Sequence, residues 1–120
     1  MKNNSYNSVL IIGMGLIGSS IARIIKEKKI ANKVYGLDNN KKIIKKTKDL
    51  NIVDDIFEKL NDIVFQFDFI FICTPLSSYK GIFNQLNQFV TQPTFITDVG
   101  STKLSVISDF KKSINNNNIS

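Results

Sequence analysis

The sequence predicts a doubly wound α/β fold, a parallel sheet with helices packed on it. Three observations predict it. Short apolar runs alternate along the chain with longer segments of helical period. The glycines of "GMGLIG" (13–18) stand between the first apolar run and the first helical segment. The run "DFIFIC" (68–73) is too continuously apolar to have one face in water, which suits a central parallel strand. Right-handed crossovers then give a sheet of order 3-2-1-4-5.

Each element has its own justification. "SVLII" (8–12) is the first strand, and Ile17, Ile21, Ile24 and Ile25 recur at helical spacing as the inward face of the first helix. "KVYGL" (33–37) is the second strand. Asn39 or Asn40 can cap the lysine-rich helix that follows, with Ile43, Ile44, Thr47 and Leu50 inside. A short third strand is expected around Ile52 and Val53. The fourth strand, 68–73, is stopped by Pro75. Ser77 or Ser78 then opens a helix with Tyr79, Ile82, Phe83, Leu86, Phe89 and Val90 inward. "TFITD" (94–98) is the fifth strand. A last helix has Leu104, Ile107, Phe110 and Ile114 inward, "NNNN" (115–118) is a polar connector, and "IS" begins one more strand. There is no internal repeat, and 120 residues form one domain, 1–120.

Composition excludes several functions. The net charge is +6, but the basic excess is almost wholly lysine, with Arg23 the only arginine, and no aromatics are interleaved to stack bases. Solvated helix faces explain it, and no nucleic-acid partner is expected. Cys73 is the only cysteine and there is no histidine, so neither an internal disulfide nor a metal site is expected. A reducing, cytoplasmic location fits. The N-terminal stretch imitates a signal peptide, yet its glycines have phosphate-loop spacing and its apolar pattern runs on past Ser20. The run is far too short to span a membrane.

Gly13, Gly15 and Gly18 form G-x-G-x-x-G after a strand and at the start of a helix, the context that gives this spacing chemical meaning. Gly13 permits the tight turn, Gly15 lets a pyrophosphate approach the backbone, and Gly18 lets helix and sheet pack closely. The N–H groups around Leu16 and Ile17 face the phosphates with the helix dipole behind them. Twenty residues beyond Gly18, Asp38 ends the second strand, where a carboxylate accepts hydrogen bonds from the adenosine ribose hydroxyls. It repels a 2′-phosphate and so favours NAD over NADP. Asn39, Asn40 and Lys41 could still accommodate that phosphate.

The ligand crevice of such a sheet opens between strands 1 and 4 at their carboxyl ends. The turn Cys73-Thr74-Pro75 therefore lies across from the glycine loop, with the Thr74 hydroxyl free to bond a ribose or phosphate. Cys73 reads as a small buried hydrophobe in preference to a reactive thiol. Asp98 and Ser101, at the end of strand 5, can turn the chain and cap the last helix. Their place near the nicotinamide end also allows Ser101 to face a substrate.

With these residues assembled, the chain resembles the N-terminal half of the prephenate and arogenate dehydrogenases, through "VLIIGMGLIGSSIA", "VYGLDNN", "FIFICTP" and "TDVGSTK". The first three stretches are shared by many nicotinamide dehydrogenases, whereas the T-D-x-G-S-x-K stretch that this family carries at the end of its fifth strand is much more specific. The resemblance implies a Rossmann NAD(P)-binding domain, NAD or NADP as cofactor and prephenate or arogenate as substrate. It implies oxidative decarboxylation, in which the ring hydroxyl loses its proton to a histidine while hydride passes to the nicotinamide. Ser101 would help orient the histidine and substrate. The family's histidine belongs to a G-H-P stretch on a sixth strand, and its substrate-binding arginines and dimer interface belong to a helical second domain. Neither is found in these 120 residues, so the resemblance implies a cofactor-binding part without its general base, homodimeric through the second domain in the full enzyme. Two other classes share the cofactor half. A stand-alone NAD- or nucleotide-sensing Rossmann module has similar length and the same ribose acid. Another nicotinamide reductase, such as one like pyrroline-5-carboxylate reductase, shares the glycine loop. Neither accounts for "TDVGSTK".

Overall fold

In the computed structural model, which describes residues 6–98, the chain opens with strand β1 (Tyr6–Ile12) and turns through the glycine loop into helix α1 (Leu16–Glu27). Strand β2 (Ala31–Leu37), helix α2 (Lys41–Asp49) and strand β3 (Asp55–Phe57) follow. Strand β4 (Phe69–Ile72), helix α3 (Tyr79–Phe89) and strand β5 (Phe95–Asp98) complete the described fold. All strand pairs are parallel, in the order β3-β2-β1-β4-β5. This is the doubly wound order the sequence predicts, and β4 is interior, between β1 and β5. The expected last helix, the asparagine connector, the start of a further strand and Ser101 lie outside the described residues.

Strand alternation divides the core between the two faces of the sheet. Val9 and Ile11 of β1 point to α1 and α2 and pack with Ala22, Ile25, Val34 and Ile56. Leu10 and Ile12 point the other way, to α3, and pack with Ile70, Ile72, Tyr79, Phe83 and Leu86. A strand buried on both faces has no polar alternation, which is why these runs read as continuously apolar.

Several expectations are corrected. On α1 the buried line is Gly18, Ala22 and Ile25, whereas Ile17 and Ile24 are 53% and 51% exposed. Two small residues bring the helix close to the sheet and turn the larger side chains aside. Lys26 reaches Asp54 at 3.9 Å from the flank opposite Ile17 and Ile24. On α2, Thr47 is buried and Ile43 and Ile44 are half-buried, but Leu50 is 51% exposed because it is already the C-cap.

The third strand begins at Asp55, after the expected Ile52 and Val53. Asn51 takes φ +57°, and the Ile52 N–H donates to the Thr47 carbonyl at 3.2 Å, closing α2. Ile52 and Val53 are therefore buried by the turn, and pairing with β2 starts only when the Asp54 N–H donates to the Val34 carbonyl at 2.8 Å. Helix α3 is entered through a 3-10 turn, Leu76–Ser78, and Ser78 makes no side-chain capping bond. Between β3 and β4 the chain crosses the α3 side of the sheet with a second 3-10 turn, Leu60–Asp62. There Phe65 and Phe67 pack tilted and edge-on around Tyr35 with ring centroids 5.0 and 5.7 Å away, a cluster that periodicity does not reveal.

Candidate functional site

The carboxyl ends of β1, β2 and β4 open onto a cleft of about 1230 Å³. Gly13, Gly15, Asp38, Thr74 and Pro75, named separately by the sequence, all line it. Leu16 and Ile17 begin α1 beside Gly15, and Gly18 packs behind the loop. Glu58, Lys59 and Asn61, from the segment after β3, also line the cleft, and no local motif marks them in the sequence.

Each glycine of the loop answers to a different constraint. Gly13 has φ +97°, and a Cβ there would lie 2.8 Å from the Thr74 Cγ2 and 2.9 Å from the Cys73 carbonyl oxygen. A Cβ on Gly18 would collide with the Gly13 carbonyl oxygen, so this position locks α1 against the loop. Gly15 is the opposite case: nothing lies within 4 Å of where its Cβ would be. Its smallness serves no contact among the described residues, and the space in front of it belongs to the cleft. Gly15 is also the N-cap of α1 and offers no capping side chain to the first N–H groups of the helix.

Asp38 is more deeply engaged than its place at the end of β2 suggests. Its Oδ2 accepts from the Met14 N–H at 2.8 Å, and its Oδ1 accepts from the Asn40 N–H at 2.9 Å. Asn40, not Asn39, then caps α2, its side-chain oxygen accepting from the N–H groups of Lys42 (2.9 Å) and Ile43 (3.2 Å). The Met14 side chain is buried, and a Cβ on Gly36 would lie 2.9 Å from its Cγ. No spacing or periodicity marks Met14 and Gly36 as part of the site. A glycine inside a strand was the available signal, since it marks close approach by another group.

Across the cleft, the Cys73 N–H donates to the Ile12 carbonyl at 2.8 Å, so the turn after β4 is held beside the glycine loop. The Thr74 hydroxyl is buried there and has no hydrogen-bond partner among the described residues. Cys73 is half-buried. Burial pushes its thiol up from the ordinary 9.0 to about 11, and the Asp98 carboxylate adds to the shift. It is therefore a protonated, weakly nucleophilic packing residue, as read from sequence. Tyr79 is buried and its hydroxyl donates to Asp98 Oδ2 at a long 3.4 Å. Burial first, then Asp98, raises its phenol from 10.0 to about 12. Asp98 thus ends β5 facing the start of α3, while Ser101 falls beyond the described residues. Among the described residues no helix is long and apolar enough to cross a membrane.

Comparison with known proteins places this geometry. The sequence profile of the family described as prephenate dehydrogenase, nucleotide-binding domain, matches residues 21–120. A cyclohexadienyl dehydrogenase of Zymomonas mobilis is 28% identical over 92% of this chain and 38% of its own length. A prephenate dehydrogenase of Bacillus subtilis is 29% identical over 88% of this chain and 29% of its own. Among solved structures, prephenate dehydrogenase from A. aeolicus, in complex with hydroxyphenyl propionate and NAD+, superposes with a TM-score of 0.79 at 27% identity. That match covers 92% of this chain and 40% of the other. The chain thus spans well under half the length of these relatives.

Proposed function

Because the chain belongs to the family of prephenate dehydrogenase nucleotide-binding domains, we propose that it is the NAD-binding part of a dehydrogenase that oxidatively decarboxylates prephenate or arogenate on the route to tyrosine. NADP is the weaker alternative cofactor. The observation that carries the proposal is a matched pair of features in one cleft. Among the described residues, Gly15 leaves open space at the start of a helix, and across from the loop the Thr74 hydroxyl is buried with no partner. A buried polar atom without a bond is costly, and a ligand rich in phosphate and ribose oxygens removes that cost.

When bound, the nicotinamide accepts the hydride that leaves the substrate ring. The work of this chain is to hold and orient. The N–H groups of Leu16 and Ile17 and the dipole of α1 favour the pyrophosphate, which Gly15 admits to the backbone. Asp38 accepts hydrogen bonds from the adenosine ribose and disfavours a 2′-phosphate by like charge. Thr74 and Pro75 bound the middle of the cofactor. Ser101 helps to orient the substrate at the nicotinamide end. The sequence contains no histidine, so the general base is supplied from outside these residues.

Titration calorimetry of the wild type and Thr74→Val tests this reading. Valine removes an unpartnered hydroxyl while nearly keeping the shape, so the variant melts at the same temperature or slightly higher. Its NAD+ affinity falls by roughly tenfold, the worth of about one hydrogen bond. Unchanged NAD+ affinity would remove Thr74 from the site.

A further inference from the structure

We propose that Asp38 is the positioning residue of the glycine loop as well as its ribose-facing acid, so that removing its acceptor side chain altogether does not exchange NAD for NADP preference but weakens both. The ribose half of this statement rests on the function proposed above. The loop half rests on geometry alone. The carboxylate reaches back 24 positions in sequence, and Oδ2 accepts from the Met14 N–H at 2.8 Å. Met14 lies between Gly13, at φ +97°, and Gly15, the N-cap of α1. No side chain can brace those two glycines, and a glycine backbone has the greatest freedom to lose on ordering.

Three further bonds make Asp38 a rigid anchor. Its own N–H donates to the Phe57 carbonyl of β3 at 3.0 Å, and its Oδ1 accepts from the Asn40 N–H. The Gly13 N–H donates to the Leu37 carbonyl at 2.7 Å, so the loop and the end of β2 are tied at successive residues. The buried Met14 side chain, seated over Gly36, holds the same segment from below. Each oxygen of a carboxylate accepts more than one hydrogen bond, so both backbone bonds persist while the cleft-facing lone pairs take the ribose. One side chain thereby shapes the pyrophosphate loop and selects the adenosine end.

The test compares wild type, Asp38→Ala and Asp38→Asn by NAD+ and NADP+ titration and by protection of the Met14 amide from hydrogen exchange. In Asp38→Ala the Met14 amide loses protection, NAD+ affinity falls about 10- to 100-fold, and NADP+ affinity does not rise above wild type. Asparagine keeps one acceptor oxygen, which serves the Met14 N–H at the cost of the Asn40 bond, and carries no charge. That variant keeps the amide protected and binds NADP+ more tightly than either of the other two proteins. Tighter NADP+ binding by Asp38→Ala than by wild type, or a Met14 amide equally protected in it, overturns the positioning role. If the alanine variant does not fold, Asp38→Asn decides: a protected Met14 amide with raised NADP+ affinity supports the proposal, and an unprotected amide with wild-type NAD+ affinity overturns it. Failure of the wild type to bind either dinucleotide defeats the proposed function instead, and the exchange measurement still judges the loop.

Discussion

Gly15 and Gly18 lie three residues apart, yet substitution should separate them completely. An alanine methyl at Gly18 meets the Gly13 carbonyl oxygen, and neither the loop nor α1 can retreat without disturbing the sheet. Gly18→Ala should therefore cost roughly 3 kcal/mol or more in denaturant unfolding. The same methyl at Gly15 enters open space, so Gly15→Ala should stay within about 1 kcal/mol of wild type. What Gly15→Ala should lose is affinity for a dinucleotide, because the methyl occupies the approach to the helix N-terminus. Cys73 gives a second residue-scale expectation. The folded thiol and the Tyr79 phenol keep their protons where the unfolded chain has already released them. Their contribution to stability is complete below about pH 9. It falls between the ordinary 9.0 and about 11 for Cys73, and between 10.0 and about 12 for Tyr79. Alkylation of native protein by iodoacetamide should accordingly be slow at pH 8 and accelerate only well above pH 9. Fast modification at pH 8 would contradict the packing role.

Among the elements, α2 depends most visibly on one side chain. The Asn40 side chain caps the helix by accepting from the Lys42 and Ile43 N–H groups, so Asn40→Ala should destabilise the fold by about 1 kcal/mol. An unchanged midpoint in urea would show the cap to be idle. Elements were legible in the sequence where burial and pairing coincide, as in β1 and β4, whose apolar runs are also their ladders. They were misplaced where the two part company. Ile52 and Val53 are core residues held by a turn, and an apolar pair of this kind reads as a strand although β3 starts later. On α1 the apolar period pointed to Ile17 and Ile24, but Gly18 and Ala22 set the contact face because closeness, not side-chain size, decides it there.

For the whole molecule, the strand order, the cleft at the carboxyl ends of the strands and the facing of "GMGLIG" by Thr74 followed from alternation and crossover handedness, which local sequence carries. The tie from Asp38 to Met14 and the rim from Glu58 to Asn61 did not, since they depend on how separate loops meet in space. On the proposed function, the chain should bind cofactor without chemistry. The 120 residues should therefore produce no measurable decarboxylation of prephenate. In a chain carrying the second domain, Ser101→Ala should lower turnover, and equal turnover would leave Ser101 with its turn and capping role. The most direct measurement is calorimetric titration of NAD+ into this chain and into its Gly15→Ala variant. Saturable one-to-one binding by the wild type, tighter for NAD+ than for NADP+ and lost in an equally stable variant, is the predicted result. No binding by a folded wild type, or binding indifferent to the methyl at Gly15, would contradict the account.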